Sequence, residues 1–429
     1  MRSIRFLVRA TVIFLVVGWH LFRWAAGALA RRLFWRPREA RQAWFGRCLT
    51  QLYTDLGATF IKVGQIMSTR PDLFPPHVTR ALEKLQDQVG PFGFAHVRRT
   101  LEEDFATPLP LLFAAFDETP IASASVAQVH RAKLPGGRVV AVKVRRPRIV
   151  ETVDFDLGVL RGLARMVAIF PSMALLAPVE TIEEFGRAIR MQLDFELEAD
   201  NNRRFQSLFS GDPDVMFPAL HDSLCSRRVL TMEFIEGDKI LRAAARRDDG
   251  TRLARIGFRL MLQMTFEHGF VHADLHPGNI FVTAAGRVAL LDLGLCADLD
   301  DRHRQAFARF FAAWAQRDGK TMAGLMLELA PGTRTADAEA FTRDVSGFVD
   351  RYWGKALGDV QVGLVVLDMM QILRRHRVRV NATFTMVNIA IAVTEGIGKQ
   401  LDPSLDLMRE ALPFFAGKGF FAQAERDAG

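Results

Sequence analysis

The densest run of chemically capable residues is His272-Ala-Asp274-Leu-His276-Pro-Gly-Asn279, followed after a short hairpin pattern by Asp292-Leu-Gly294. Phosphoryl transfer needs a carboxylate to orient or deprotonate the acceptor, and hard oxygen donors to hold Mg2+ against nucleotide phosphates. Asp274 suits the first task, and Asn279 with Asp292 the second. Taken singly, Asp274 and Asn279 read as turn residues around Pro277-Gly278, and Asp292 as a strand-end cap. Their joint spacing selects the phosphoryl-transfer reading. A zinc site on His272 and His276 is the weaker alternative, because Pro277 breaks the helix that an H-E-x-x-H pattern requires and Asp274 is not at the glutamate position.

A second element lies upstream. In Val140-Ala141-Val142-Lys143 the lysine alternates with apolar neighbours and so points to one face of a strand, where it can meet the α and β phosphates and be held by a helix glutamate. A lone strand lysine is usually just exposed. Here Glu198 is its natural partner, on a helix whose acidic face also carries Asp194, Glu196 and Asp200.

These residues need elements to position them. From about 49 to 118 the pattern is helical, with Leu52, Leu56, Phe60 and Val63 at three and four, an interruption at Pro71, Pro75 and Pro76, then Val78, Leu82 and Leu85. Val126 to His130, Val139 to Val144 and Val229 to Phe234 read as strands, the first two joined by the hairpin turn Pro135-Gly136-Gly137. One long helical region is expected between Val150 and Phe205. Beyond Gly237 helical periodicity dominates, apart from the strands Ile280 to Val282 and Val288 to Leu291 joined through Ala285-Gly286. The order predicts a two-lobed α+β enzyme.

The 429 residues carry 56 Lys and Arg against 48 Asp and Glu, a formal +8. Residues 1–48 hold ten arginines and one acid, a net +9, so the other 381 residues sum to −1 and give no general reason to bind a nucleic acid. Three cysteines without C-x-x-C spacing indicate a reducing compartment and no cysteine zinc site. At 100° per residue Arg2, Arg5, Arg9, His20, Arg23 and Arg31 fall in a stripe about 80° wide, with Phe14, Leu15, Val17 and Leu21 outside it. This predicts an amphipathic helix on an anionic membrane surface. Three alternatives are a tilted spanning helix, in which Arg23 is costly, a helix packed on its own domain with the arginines in solvent, and a signal peptide ending at Ala28-Leu29-Ala30, against which Arg23 argues. For a spanning helix the basic flank Arg31 to Arg47 puts the body on the cytoplasmic side.

From about 50 to 405 the sequence resembles the UbiB family of atypical kinase-like ATPases, associated with coenzyme Q. Lys62-Val63-Gly64-Gln65 is similar to that family's K-x-G-Q motif, Ala122-Ser123-Ala124-Ser125-Val126-Ala127-Gln128 to its alanine-rich phosphate loop, and Glu395-Gly396 with Leu401-Asp402-Pro403 to its C-terminal helical pattern. Taken alone, Lys62 and Gln65 fit the polar face of a helix, and the alanine-rich stretch an ordinary small-residue turn.

The resemblance implies a two-lobed protein kinase-like fold with an N-terminal helical extension and a mostly helical C-terminal lobe. In this chain those parts are a basic membrane-associating segment at 1–48, the extension carrying K-x-G-Q at 49–118, an N-lobe at 119–237 and a C-lobe at 238–429. It implies ATP and Mg2+ as cofactors. Asp274 and Lys143 would be catalytic; Ala122, Ser123, Ala124, Ser125, Val126, Lys143, Glu198, Glu233 and Phe234 would bind the nucleotide. Asn279 and Asp292 would hold the metal, and Lys62, Gln65 and Asp194 would gate the site. Partners would be an anionic membrane surface on the cytoplasmic side of the inner membrane, lipid or quinone intermediates, and ubiquinone-biosynthesis proteins, with no nucleic acid.

The implied activity is an ATPase or small-molecule kinase supporting ubiquinone biosynthesis. Its alternatives are a kinase acting in trans on protein or small molecule, and a nucleotide-switched scaffold of a lipid-modifying complex. The sequence departs from the family at Gln192, where the E-x-D motif has its first carboxylate, so an ion pair with Lys62 is reduced to a hydrogen bond. Ser123 and Ala127 replace the usual alanine and glycine, which bears on nucleotide preference. The C-terminal pair of apolar spans that some bacterial members carry is not found, so membrane contact is expected to rest on the N-terminal segment.

Overall fold

A computed structural model describes residues 2–33, 37–68, 74–85, 90–170, 177–247, 249–330, 337–353, 362–378, 382–404 and 414; Pro71 lies outside this set. The chain forms two units, 1–199 with 219–234 and 200–218 with 235–429.

The first unit begins with helices α1 (Arg2–Leu33), α2 (Arg38–Leu56), α3 (Ala58–Ser68), α4 (Pro76–Leu82), α5 (Phe94–Phe105) and α6 (Leu109–Leu112). Its sheet has strands β1 (Ala115–Phe116), β3 (Ala127–Lys133), β4 (Val139–Arg145) and β6 (Val229–Glu233) in that order, with β2 (Ala122–Ser123) also paired to β3. The expected strands are present, and the turn between β3 and β4 uses Gly137 at φ +84°, a backbone that glycine adopts without steric cost.

Alternation along β4 explains why a lysine is needed at one position only. Val140, Val142 and Val144 pack with Val97, Leu101 and Phe113 on one face. Ala141 faces the opposite cluster, with Phe185, Ile189, Leu193 and Phe195, and the period of two puts Lys143 on that side.

Between 150 and 205 the structure has α7 (Ile149–Ala168), α8 (Pro178–Leu193) and α9 (Phe195–Leu208) in place of one long helical run. Pro178 opens α8, where its missing N–H costs nothing, and Asp194 is extended at φ −103° and ψ 101°, which ends it.

Helix α1 turns part of its polar stripe to the body, unlike the packed-helix alternative in which the arginines stay in solvent. Arg9 donates from Nε and Nη2 to the two carboxylate oxygens of Asp156 at 2.7 and 2.8 Å, and from Nη2 to the Leu56 carbonyl. His20 is buried and meets Asp55 at 2.9 Å. Asp156 is fully buried, and a carboxylate there requires a counter-charge, so part of the polar stripe is drawn inward. Outward face Phe14, Leu15 and Phe22, 59–68% exposed, with Leu7 and Trp19. Arg23 remains exposed, while the side chains of Arg2, Arg5 and Arg31 lie outside the described set.

The second unit holds a four-stranded sheet in the order β5 (Val215–Met216), β10 (Val288–Leu290), β9 (Ile280–Thr283), β7 (Gly237–Lys239), and a pair β8 (Phe270–His272) with β11 (Cys296–Asp298). Only β9 and β10 were legible from sequence; the others have two or three residues, too few for a period to register. Around them lie α10 (Ile240–Arg247), α11 (Gly250–Leu262), a π-helical turn at Gln263–Glu267, α12 (Asp301–Ala315), α13 (Gly319–Glu328), α14 (Ala338–Tyr352), α15 (Val362–Arg375) and α16 (Ala382–Leu401). Leu401 and Asp402 dock on the start of α11: a Cβ on Gly250 would lie 2.2 Å from the Leu401 carbonyl oxygen, and Thr251 donates to Asp402 at 2.8 Å. The Glu395 side chain lies outside the described set.

His130 on β3 is fully buried, its Nδ1 donating to the Asp117 carbonyl and its Nε2 accepting from Gln128. Burial lowers its pKa below the ordinary histidine value, as it does for His221 and His272. Below about pH 6.5 the unfolded chain takes up protons that the folded chain refuses, so stability falls as pH drops through that value and is constant above it. The melting temperature is expected to fall between pH 7.5 and 5.5, and His130→Asn to flatten part of that slope.

Candidate nucleotide and metal site

Each unit contributes its own group of candidate residues. In the first, Lys143 Nζ donates to both oxygens of Glu198, at 2.8 and 2.9 Å, with only 9% and 3% of the two side chains exposed. The ammonium also lies 5.1 Å from the centre of the Phe195 ring, a cation–π contact. The pairing expected from sequence is therefore present, and its burial leaves neither charge an alternative partner in water.

The alanine-rich stretch is a hairpin: Ala122 and Ser123 pair with Val129 and Gln128, and the Ala124 amide donates to the Ala127 carbonyl at 2.8 Å. Arg146 just beyond β4 holds its turn. Nε donates to the Ser125 carbonyl at 3.1 Å, Nη2 to the Ala124 carbonyl at 2.9 Å, and the Arg146 amide to the Val126 carbonyl at 2.8 Å. Sequence reasoning passed over Arg146, because nothing in its spacing separates it from Arg145 and Arg148. Glu233 ends β6 and Phe234 follows it, where the chain leaves the unit; Glu233 accepts from the Ala219 amide, and Arg131 stacks over the Phe234 ring.

Lys62 and Gln65 lie on α3, both at least half-buried, and Gln65 donates to the Leu85 carbonyl at 3.3 Å. A Cβ on Gly64 would come within 2.3 Å of Leu85 Cδ1, so the glycine between them permits close packing. Asp194 accepts from the Glu196 amide and lies 3.6 Å from Arg227, which makes it an N-terminal cap for α9. Gln192 is buried.

In the second unit, β8 and β11 pair His272 with Cys296, and the Leu291 amide donates to the Asn279 carbonyl at 2.9 Å. These bonds fix Asp274, Asn279 and Asp292 as one local group. Asn279 commits its amide nitrogen to the Asp274 carbonyl at 3.3 Å, which leaves Oδ1 as the atom of this side chain that could ligate a cation. Asp292, just beyond β10, is exposed and left-handed at φ +57°, a conformation uncommon outside glycine. Asn201 on α9 donates to the Leu293 carbonyl at 2.8 Å, tethering the Asp-Leu-Gly segment.

The histidines have local work: the Asp274 amide donates to His272 Nδ1, and the Gly278 amide to His276 Nδ1. Among the described residues no three or more His, Cys, Asp or Glu gather as a metal site. An amide oxygen and a carboxylate are hard donors of the kind Mg2+ takes, in a shell that it completes with phosphate oxygens and water.

Removing one member of the buried pair strands the other. Glu198→Ala is expected to cost about 3 kcal/mol in urea denaturation, and the neutral double variant Lys143→Met with Glu198→Gln about 1 kcal/mol or less.

Residues 84–326 match the ABC1 atypical kinase-like domain and 345–406 the UbiB helical domain. The chain is 35% identical over 401 residues to a probable protein kinase UbiB of Aeromonas hydrophila and to another of Aeromonas salmonicida, covering 90% of this chain and 73% of each. It is 33% identical over 393 residues to a third, from Sodalis glossinidius, covering 89% and 72%. A Mycobacterium tuberculosis protein solved in complex with erythromycin shares the fold at TM-score 0.54 and 24% identity, over 93% of this chain and 98% of that one. With the kinase-like domain matching more than half of the chain and relatives 35% identical over 90% of it, the chain belongs to the UbiB group of the ABC1 atypical kinase-like family.

Proposed function

We propose that the protein is an ATP-dependent kinase-like enzyme that works at a membrane surface in support of ubiquinone biosynthesis, acting on lipid intermediates. The buried bidentate Lys143–Glu198 pair carries the reading most directly. A desolvated ion pair is a costly way to stabilise a core, and it is sensible where an ammonium must be held ready for phosphate.

Lys143, oriented by Glu198, contacts the α and β phosphates, while the 122–126 hairpin, Glu233 and Phe234 hold the rest of the nucleotide. Asn279 and Asp292 hold Mg2+, which when bound neutralises phosphate charge. Asp274 orients water or an acceptor hydroxyl and accepts its proton. Lys62, Gln65 and Asp194 control access. The relatives' designation as probable protein kinases favours transfer to an acceptor as the second reading.

Support for the membrane comes from α1, whose segment Leu7–Gly27 is long and apolar enough to cross a bilayer and is mostly exposed. Since Arg9, Ile13 and His20 tie it to the body, we infer that it docks by its outer apolar face. Met166, Val167, Ile169 and Phe170 at the end of α7 are also exposed. Basic residues near an anionic cytoplasmic leaflet add ~1 kcal/mol each.

Phosphate release from Mg-ATP on anionic vesicles is expected from the wild type, with Asp274→Asn and Asp292→Asn lower by roughly 100-fold or more. Equal turnover in wild type and Asp292→Asn would refute the assignment; stoichiometric labelling of an acceptor would select the kinase reading. In vesicle flotation, Leu15→Glu with Phe22→Glu is expected to lower membrane partition roughly 100-fold, from burial worth about 1.5–3 kcal/mol per side chain.

A further inference from the structure

Four bonds from one guanidinium converge on a single turn and a single strap. Besides the Ala124 and Ser125 carbonyls, Arg146 Nη2 lies 3.5 Å from Ser123 Oγ and donates to the Gly90 carbonyl at 2.9 Å, and its guanidinium sits 5.2 Å from the Phe92 ring centre. The strap is held a second time. The Phe92 amide donates to Gln128 Oε1 at 3.0 Å and Gln128 Nε2 to the Phe92 carbonyl at 3.3 Å, and Gln128 is the cross-strand partner of Ser123. Arg146 and Gln128 thus fasten the 90–92 segment to the hairpin from both ends of its turn.

A planar guanidinium satisfies several carbonyls at once in fixed directions, which an ammonium does not. Drawing the Ala124 and Ser125 carbonyls to one side sets the orientation of the peptide planes, and a turn whose carbonyls are gathered on one side has its amides directed elsewhere, as an anion-binding turn requires.

We propose that Arg146 is a positioning residue for phosphate recognition: without touching the nucleotide, it holds the 123–126 turn in the conformation that receives the phosphates and locks that turn to the 90–92 strap. This rests on the reading that the protein binds Mg-ATP through this hairpin. The consequence is selective. Recognition of the phosphate chain depends on Arg146, and recognition of the nucleoside does not.

The test is equilibrium binding of Mg-ATP, Mg-ADP and adenosine to the full chain and to Arg146→Lys and Phe92→Leu, with melting temperature alongside. Arg146→Lys is expected to weaken Mg-ATP and Mg-ADP roughly tenfold, the worth of lost hydrogen bonds from a charged donor, while adenosine changes by less than about twofold. Phe92→Leu, which removes the stacking but leaves the strap backbone, is expected to shift Mg-ATP in the same direction by about threefold. A uniform loss across all three ligands, or a lowered melting temperature with unchanged ligand discrimination, would show a purely structural role and overturn the proposal. A wild type that binds neither Mg-ATP nor Mg-ADP would instead overturn the functional reading on which it rests.

Discussion

An ammonium and a carboxylate removed from water are stable only if each finds the other at hydrogen-bonding distance, and the Lys143–Glu198 pair imposes that condition on the first unit. It dictates that β4 turn its odd positions toward the helices, that α8 end at Asp194 so that α9 can start with its acidic first turn beside the sheet, and that Phe195 and its neighbours exclude solvent. The apolar cluster of Val63, Phe185, Ile189, Leu193 and Phe195 then does two jobs. It provides ordinary core burial, and it raises the strength of the ion pair by keeping the local dielectric low. Helix α3, with its K-x-G-Q sequence, contributes Val63 to this same cluster, so the residues proposed to gate the site are built on the wall that dries it.

A second buried carboxylate shapes the N-terminal helix. Asp156 draws Arg9 inward, and Asp55 engages His20, so two members of the polar stripe of α1 hold it to the body while Leu7, Phe14, Leu15, Trp19 and Phe22 face out. For a soluble helix this is inverted. It is the polarity that the proposed docking on a lipid surface requires, with Arg9 and His20 holding the helix to the folded unit.

Sequence reasoning rested on residues whose types are demanding. Asp274, Asn279 and Asp292 at their spacing, and a lysine alternating with valines, leave few alternatives, and the three strands with their glycine turn were visible because each has a period long enough to register. It failed where structure is made by short or conformation-dependent features. The strands β5, β7, β8 and β11 have no readable period. The stripe on α1 was correctly placed on a helical wheel, but which side faces inward depends on Asp156 and Asp55, far away in the chain. Arg146 looked like one of several arginines because its role is to meet backbone carbonyls, which carry no sequence mark. The left-handed Asp292 was likewise invisible, since its backbone is set by the strand pairs on either side of it.

The central claim is that a neutralised, buried lysine–glutamate pair exists to receive the phosphates of Mg-ATP. Calorimetric titration of Mg-ATP into the wild type and into the Lys143→Met, Glu198→Gln double variant tests it most directly, because the variant removes both charges without stranding either. The account predicts saturable, Mg2+-dependent binding by the wild type and its loss in a variant that still folds. Equal Mg-ATP affinity in the two proteins would contradict it.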